Sequence, residues 1–372
     1  MNFNLSDEHE TLRASAQAFL DKEVDLAPLL VPGATVATAD YEGLWTKIAA
    51  LGWPGMVIPQ AHGGLGLDYL DLIMIIGEMG RTLAPAPLFG TLAGAWVIEK
   101  AASPALQTEL LGQVAQGSLK LALAIADIDG SLEGAGADMT ARQQGEDWVL
   151  SGTRAYVVDA PAADKLVVSA SFEGQRDFFL VDAHAPGVTI EPVEWRDITR
   201  QVATVRLDDV AGQRLDQGEA DTWPWVRDRL YLLLAAESAA GARKVLDDAV
   251  DYAKQRVAFG RPIGSYQVIK HQLADIFALT ECATAAVQYA AWTLSQNDPR
   301  APLAAAMAQS YTADAYRDAT YRNIQVHGAI GFTWEMVNHL YYKRARCNAE
   351  LLGPPAMQRE HVIQFLQYQS AA

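Results

Sequence analysis

Seven short runs of β-branched and aromatic residues follow one another through the middle of this chain with no helical pattern between them. They are Leu121–Ile125, Trp148–Leu150, Tyr156–Val158, Leu166–Val168, Phe178–Val181, Val188–Ile190 and Thr204–Leu207. Gly130, Gly145, Gly152, Gly174 and Gly187 punctuate them. Strand following strand excludes a Rossmann-type sheet, whose parallel crossovers each need a helix. The pattern predicts an antiparallel β domain over 119–213.

Helical periods flank it on both sides. In the N-terminal domain, 1–118, Ser6 is placed to cap a helix whose first turn carries Asp7 and Glu8. Leu12, Ala16, Phe19 and Leu20 then share one face. Gly52, Gly55, Gly63, Gly64 and Gly66 read as turn glycines, because no strand–turn–helix unit frames them as a dinucleotide loop. In the C-terminal domain, 214–372, Leu246, Ala249, Val250 and Ala253 mark one helix and Ile269, Leu273, Ile276 and Phe277 the next. A third helix is expected from Leu303 to His327, stopped by Gly328, and a fourth over Trp334–Glu350. Gly353-Pro354-Pro355 breaks the chain before a short last helix. Four successive amphipathic helices on short loops predict an antiparallel four-helix bundle.

The formal charge of −16 argues against nucleic acid or an anionic membrane as partner. No apolar run is long enough to cross a bilayer. The polar, acidic N-terminus lacks the features of a signal peptide, and Cys282 and Cys347 read as free thiols, so a cytoplasmic location is expected. No His-Glu-x-x-His or Cys/His ligand cluster is visible, and no metal is expected.

The segment Tyr252-Ala-Lys-Gln-Arg256-Val-Ala-Phe259-Gly260-Arg-Pro262-Ile-Gly-Ser-Tyr266-Gln267 joins two of the helices. An arginine closes the first helix, an aromatic follows, and a glutamine opens the second. Arginine can hold a diphosphate through paired charge-assisted hydrogen bonds, and a phenyl ring can lie against a planar ligand.

The order helical, β, four-helix bundle, together with this segment, resembles the acyl-CoA dehydrogenase family across essentially the whole chain. Further motifs carry the resemblance. They are Phe3-Asn-Leu-Ser-Asp-Glu8, Leu51-Gly-Trp-Pro-Gly55 with Ile58-Pro59, His62-Gly-Gly-Leu-Gly66, Gly187-Val-Thr-Ile190, Arg196-Asp-Ile-Thr-Arg200 and Gln325-Val-His-Gly328-Ala-Ile-Gly331-Phe-Thr-Trp-Glu335. The resemblance implies FAD as cofactor, an acyl-CoA substrate and an electron-transfer flavoprotein as acceptor. It also implies a site shared by two chains, in which one chain's bundle clamps the ADP half of its neighbour's FAD. On that basis Arg256 is the diphosphate ligand, Phe259 packs on the cofactor, and Tyr266, Gln267, Gln325, Val326, His327, Gly328 and Ala329 border the adenosine.

The family's reaction removes an α-proton with a carboxylate while the β-hydrogen leaves as hydride. Here the matching positions depart from the pattern. Leu352 stands where most members carry the Glu, Pro354 replaces a cofactor-holding hydroxyl residue, and Leu230 occupies the alternative base position on the first bundle helix. Asp228 and Glu237 are near Leu230 in sequence, but one points away around the helix and the other lies further along it. Both read as solvated or salt-bridged helix acids, and Glu335 as an acid favoured by a helix start. Asp127-Ile-Asp-Gly130-Ser131-Leu-Glu-Gly134-Ala135 and Tyr156-Val-Val158 replace the family's flavin-contacting loop and ring-backing segment. No catalytic residue is therefore assigned. The chain resembles the base-lacking subunit of the family's heteromeric α2β2 branch, associated with bulky acyl-CoAs such as those of steroid side chains. Three other readings stay open: a homotetrameric dehydrogenase with a relocated acid, a flavin monooxygenase of the same fold, and a non-catalytic scaffold.

Overall fold

A computed structural model of the chain describes residues 5–133, 138–145 and 147–371. Among the described residues, five α-helices form the N-terminal part: α1 (Asp7–Glu23), α2 (Thr38–Ala50), α3 (Tyr69–Thr82), α4 (Leu88–Ala101) and α5 (Pro104–Ala115). Ser6 caps α1 as expected, its Oγ accepting the His9 N–H at 3.2 Å. His9 takes the third-residue role usual for Glu, its Nδ1 accepting the Ser6 N–H at 3.1 Å. Phe3 and Asn4 of the opening motif lie outside the described residues. Leu72, Ile75, Leu92, Val97 and Ile98 are completely buried and make α3 and α4 the spine of the main core.

Among the described residues, seven strands form one sheet: β1 (Leu121–Ala124), β2 (Met139–Gln144), β3 (Asp147–Val158), β4 (Lys165–Phe172), β5 (Gln175–Asp182), β6 (Val188–Pro192) and β7 (Val202–Arg214). The order β1-β4-β2-β3-β7-β5 closes on itself because β5 also pairs with β4, while β6 lies on β7. The expectation of a wholly antiparallel domain needs correcting. β1 runs parallel to β4, and β2 makes a single parallel bridge to β4. Each of those parallel pairs is separated by more than a hairpin's length of chain, as parallel pairing requires. The runs around Trp148 and Tyr156 are one strand, not two, bent at Tyr156 where its register on β7 slips.

The C-terminal part holds α6 (Thr222–Gln255), α7 (Gln267–Ser295), α8 (Ala301–His327), α9 (Asn338–Asn348) and α10 (Pro355–Ala371). α6, α7 and α8 pack against one another, and α9 and α10 both pack on α8. The fourth bundle position is thus shared by two helices. The last helix has 17 residues and is not short. α6 also meets α3 closely: a Cβ added at Gly80 would stand 2.5 Å from the Glu237 Cα. No helix among the described residues is long and apolar enough to cross a membrane.

Candidate functional site

The α6–α7 junction is a small hairpin. Arg256 ends α6, its N–H bonding the Tyr252 carbonyl at 2.8 Å, and its own carbonyl accepts the Ile263 N–H at 2.8 Å. Val257–Ala258 (β8) pairs with Arg261–Pro262 (β9). At the tip, Phe259 and Gly260 have φ of +51° and +81°. Glycine adopts this conformation freely, but for phenylalanine it is strained. Phe259 is nevertheless 95% exposed. Tyr266 braces the hairpin: its hydroxyl donates to the Ala258 carbonyl at 3.0 Å, and the Arg261 guanidinium lies 4.1 Å from its ring centroid. Arg256 is exposed, and nothing among the described residues pairs with its guanidinium. An exposed aromatic on a strained backbone beside an unpaired cation has no folding role to explain it, and points to a ligand.

The end of α8 is brought to the same place. Tyr252 stacks on His327 with ring centroids 4.1 Å apart and planes 25° from parallel. The Tyr252 hydroxyl donates to the His327 carbonyl at 3.4 Å. His327 Nδ1 lies 2.9 Å from the Asn323 carbonyl, so that nitrogen carries the ring proton. Ala249, Ala253 and Val326, with Ile263 and Leu273, form a small apolar cluster that ties α6, α7 and α8 together here. Val326 and His327 therefore face inward, while Gln267, Gln325, Gly328 and Ala329 are exposed. Gly328, at φ +69° and ψ −148°, turns the chain off the helix in a conformation nearly closed to other residues.

A second region lies where α4, the sheet and α6 meet the segment before α10. Its cavity is about 30 Å³, no more than one water's share of the liquid. Phe89, Leu123, Leu132, Val158, Leu230 and Leu352 are among its lining residues, and none of the described residues lining it is an acid. Leu230 and Leu352 are 2% and 5% exposed. Gln358 pins the leucine segment, its Nε2 donating to the Leu352 and Gly353 carbonyls at 3.1 and 2.9 Å. The Asp127 loop is tied back by the buried Arg154, which pairs with Asp127 and donates to the Ser169 carbonyl at 3.0 and 2.8 Å. Gly134 and Ala135 of that loop lie outside the described residues. Beside the cavity an open cleft of about 780 Å³ is bordered by Tyr156, Trp195, Arg346, Glu350 and Leu351.

The two acids of α6 near Leu230 are committed elsewhere. Glu237 is buried and held by both carboxylate oxygens to Arg200 Nη2 at 2.8 and 2.7 Å, and to Arg344 Nη1 at 2.9 Å. Arg344 also pairs with Asp197 and donates to Thr199 Oγ1 at 2.6 Å. This ionic knot joins residues more than a hundred positions apart, so sequence reading had no signal for it beyond the Arg196–Arg200 motif. Asp228 is buried, not solvated, and its carboxyl is pushed up to about 6 by desolvation against the pull of Arg227. Glu335 does not start a helix. Thr333 Oγ1 donates to the Ile330 carbonyl at 2.8 Å and accepts the Glu335 N–H at 3.4 Å, and this turn delays α9 to Asn338. The fold also brings His9, Asp68 and Asp71 within 4.8 Å of one another. His9 and Asp68 are each engaged in capping a helix, and Asp71 completes the second cap.

The ADP half of FAD fits the first region, which offers an unpaired guanidinium for a diphosphate, an exposed ring and exposed amides beside glycines. A reacting thioester does not fit the second, which lacks the volume and, among the described residues lining it, a carboxylate to accept a proton.

Comparison with known proteins bears on the family. The signature described as "Acyl-CoA dehydrogenase, N-terminal domain" matches residues 6–118, and "Acyl-CoA dehydrogenase, C-terminal domain" matches residues 229–367. The acyl-CoA dehydrogenase IpdE2 of Mycobacterium tuberculosis is 32% identical over 351 residues, covering 94% of this chain and 94% of that protein. Among solved structures, a single-substitution variant of the Tcur3481-Tcur3483 steroid ACAD superposes with a TM-score of 0.87 at 28% identity, covering 98% of this chain and 99% of that one. Butyryl-CoA dehydrogenase from Megasphaera elsdenii has the same fold, with a TM-score of 0.90 at 22% identity over 99% of this chain and 100% of that one. The chain belongs to the acyl-CoA dehydrogenase family, whose cofactor is FAD.

Proposed function

We propose that this chain is the base-lacking subunit of a cytoplasmic, heteromeric FAD-dependent acyl-CoA dehydrogenase. It clamps the ADP half of FAD in an active site whose acid comes from a paralogous partner. The observation that carries this reading is the 30 Å³ apolar cavity at Leu230 and Leu352, in a chain whose Arg256 side chain has no partner among the described residues and whose Phe259, edge-on to Tyr266, is 95% exposed. In this assembly Arg256 holds the diphosphate. Phe259 covers the adenosine side, Tyr266 braces the hairpin that carries it, and Gln267, Gln325, Gly328 and Ala329 border the nucleotide. Val326 and His327 support the segment from inside. FAD, when bound, supplies the acceptor for the β-hydrogen as hydride. Likeness to a steroid enzyme named for two polypeptides together supports both the heteromer and a bulky, steroid-derived acyl-CoA as substrate. An electron-transfer flavoprotein is the proposed acceptor.

Expressing the chain alone and with a neighbouring paralogue tests this. Alone, it should carry little FAD and no acyl-CoA turnover; together, the two should carry FAD and turn over. A chain that alone is yellow, stoichiometric in FAD and active on acyl-CoA refutes the proposal.

A further inference from the structure

Tyr252 is half-buried in the last turn of α6 and is joined to both stretches of chain that make the clamp. Its carbonyl accepts the Arg256 N–H at 2.8 Å, which sets where the helix gives way to the hairpin. Its ring stacks on His327, with centroids 4.1 Å apart, and its hydroxyl donates to the His327 carbonyl at 3.4 Å. His327 is also tied to its own helix, through Nδ1 and the Asn323 carbonyl at 2.9 Å. The contact does more than fill the core. Ala249, Ala253 and Val326 already make the apolar contact between α6 and α8 at this level, and Tyr252 adds a polar arm aimed at backbone.

The turn that follows His327 is built against it. A Cβ added at Gly331 would stand 2.8 Å from the His327 Cβ and 2.9 Å from the Ile324 carbonyl oxygen, so only glycine lets the turn close this tightly. A Cβ added at Gly328 would meet nothing within 4 Å. That glycine is therefore required by its φ of +69° and ψ of −148°, not by lack of space. The path of 328–332 depends on where His327 stands, and Tyr252 fixes His327 from another helix.

We propose that Tyr252 is a positioning residue for the cofactor, a role that rests on the clamp proposed above. Through His327 it holds the exposed backbone of Gly328 and Ala329 in fixed relation to Arg256, so that both stretches meet the ADP half of FAD together. Its own ring is taken up by His327 and makes no contact with the cofactor. A segment fixed before its ligand arrives loses less freedom on binding. Affinity should therefore fall when the brace is removed, although no contact to the ligand is lost. The effect belongs to the adenosine half, because the flavin ring lies in the partner's pocket.

The test is titration of FAD into the assembled complex, read by flavin fluorescence, with ADP as a competitor. Tyr252→Leu should weaken FAD about three- to tenfold, and ADP by the same factor. Tyr252→Phe keeps the stack and should recover most of that loss. The absorption spectrum of bound FAD should be unchanged in both. Gly328→Ala has room for its Cβ but not the backbone freedom, and should reproduce the loss. It carries the test if the leucine variant does not assemble. In the double variant the two losses should not add, since both act on one segment. Wild-type affinity in Tyr252→Leu or in Gly328→Ala would overturn the proposal. So would a loss for FAD that ADP does not share, an altered flavin spectrum, additive losses, or no recovery in Tyr252→Phe. Arg256→Ala in the same assay separates this role from the clamp itself. If it weakens FAD while Tyr252→Leu does not, only the positioning role fails; if it binds FAD like the wild type, the clamp fails and the positioning role with it.

Discussion

Arg256 and Arg344 use the same side chain in opposite ways. Arg344 is buried among Asp197, Glu237 and Thr199, and every arm of its guanidinium is engaged by protein. The Arg256 side chain stands exposed on a hairpin with no partner among the described residues. The first locks the β domain to α6 and α9; the second contributes nothing visible to the fold. The same division runs through their surroundings. Around Leu230 and Leu352 the protein has filled its own space, and around Phe259 it leaves a ring in solvent at a strained φ. Filled and paired regions should govern stability, and open and unpaired ones should govern cofactor binding.

The largest effect is expected from Arg344→Ala, which leaves the buried Asp197 without its cation and Glu237 with Arg200 alone. Breaking a buried pair in this way costs about 3–5 kcal/mol, readable as a lower midpoint in urea or heat. A loss under about 1 kcal/mol, typical of surface pairs, would erase the contrast. Asp228 gives a pH signature on the same side. Its carboxyl is raised from 3.8 to about 6. The folded chain therefore keeps a proton that the unfolded chain releases between those values, so stability falls as pH rises through this window, by up to about 3 kcal/mol. Asp228→Asn keeps an acceptor for Arg227 and should remove that fall. Urea midpoints of the two proteins compared at about pH 4 and about pH 7 read it directly.

The other side should behave in reverse. Arg256→Ala should weaken FAD retention by the complex about 10- to 100-fold and leave the unfolding of the FAD-free chain unchanged. A matching loss of stability would mean that Arg256 is structural after all. Phe259→Gly sharpens the point because its two effects have opposite signs. Relief of the left-handed backbone should stabilise the chain by about 1 kcal/mol. Loss of the ring should weaken FAD by about 0.5–1.5 kcal/mol.

The helices and six of the seven sheet strands could be read from local patterns, and the proposed clamp residues from a family resemblance. β2 was missed because Met139-Thr-Ala-Arg-Gln-Gln144 has neither β-branched clustering nor aromatics. Its alternation, with Met139 and Ala141 buried and Thr140 and Arg142 exposed, was the available signal. The inward turn of Val326 and His327 depends on Tyr252, some seventy positions earlier, and no local pattern records it. Glu237 looked like an ordinary helix acid because its partners at 200 and 344 come from distant parts of the chain.

The stack of Tyr252 on His327 draws on α6 and α8 alone, and the apolar cluster beneath it adds only α7 and the hairpin that leads into it. Neither borrows a residue from the sheet or from the leucine-filled cavity. On the proposed function, one copy after a gene duplication could therefore drift at positions such as 230 and 352 without disturbing the hairpin. Inheritance of the clamp and inheritance of the chemistry are separable in this architecture, and a chain can stay indispensable after giving up a reaction of its own.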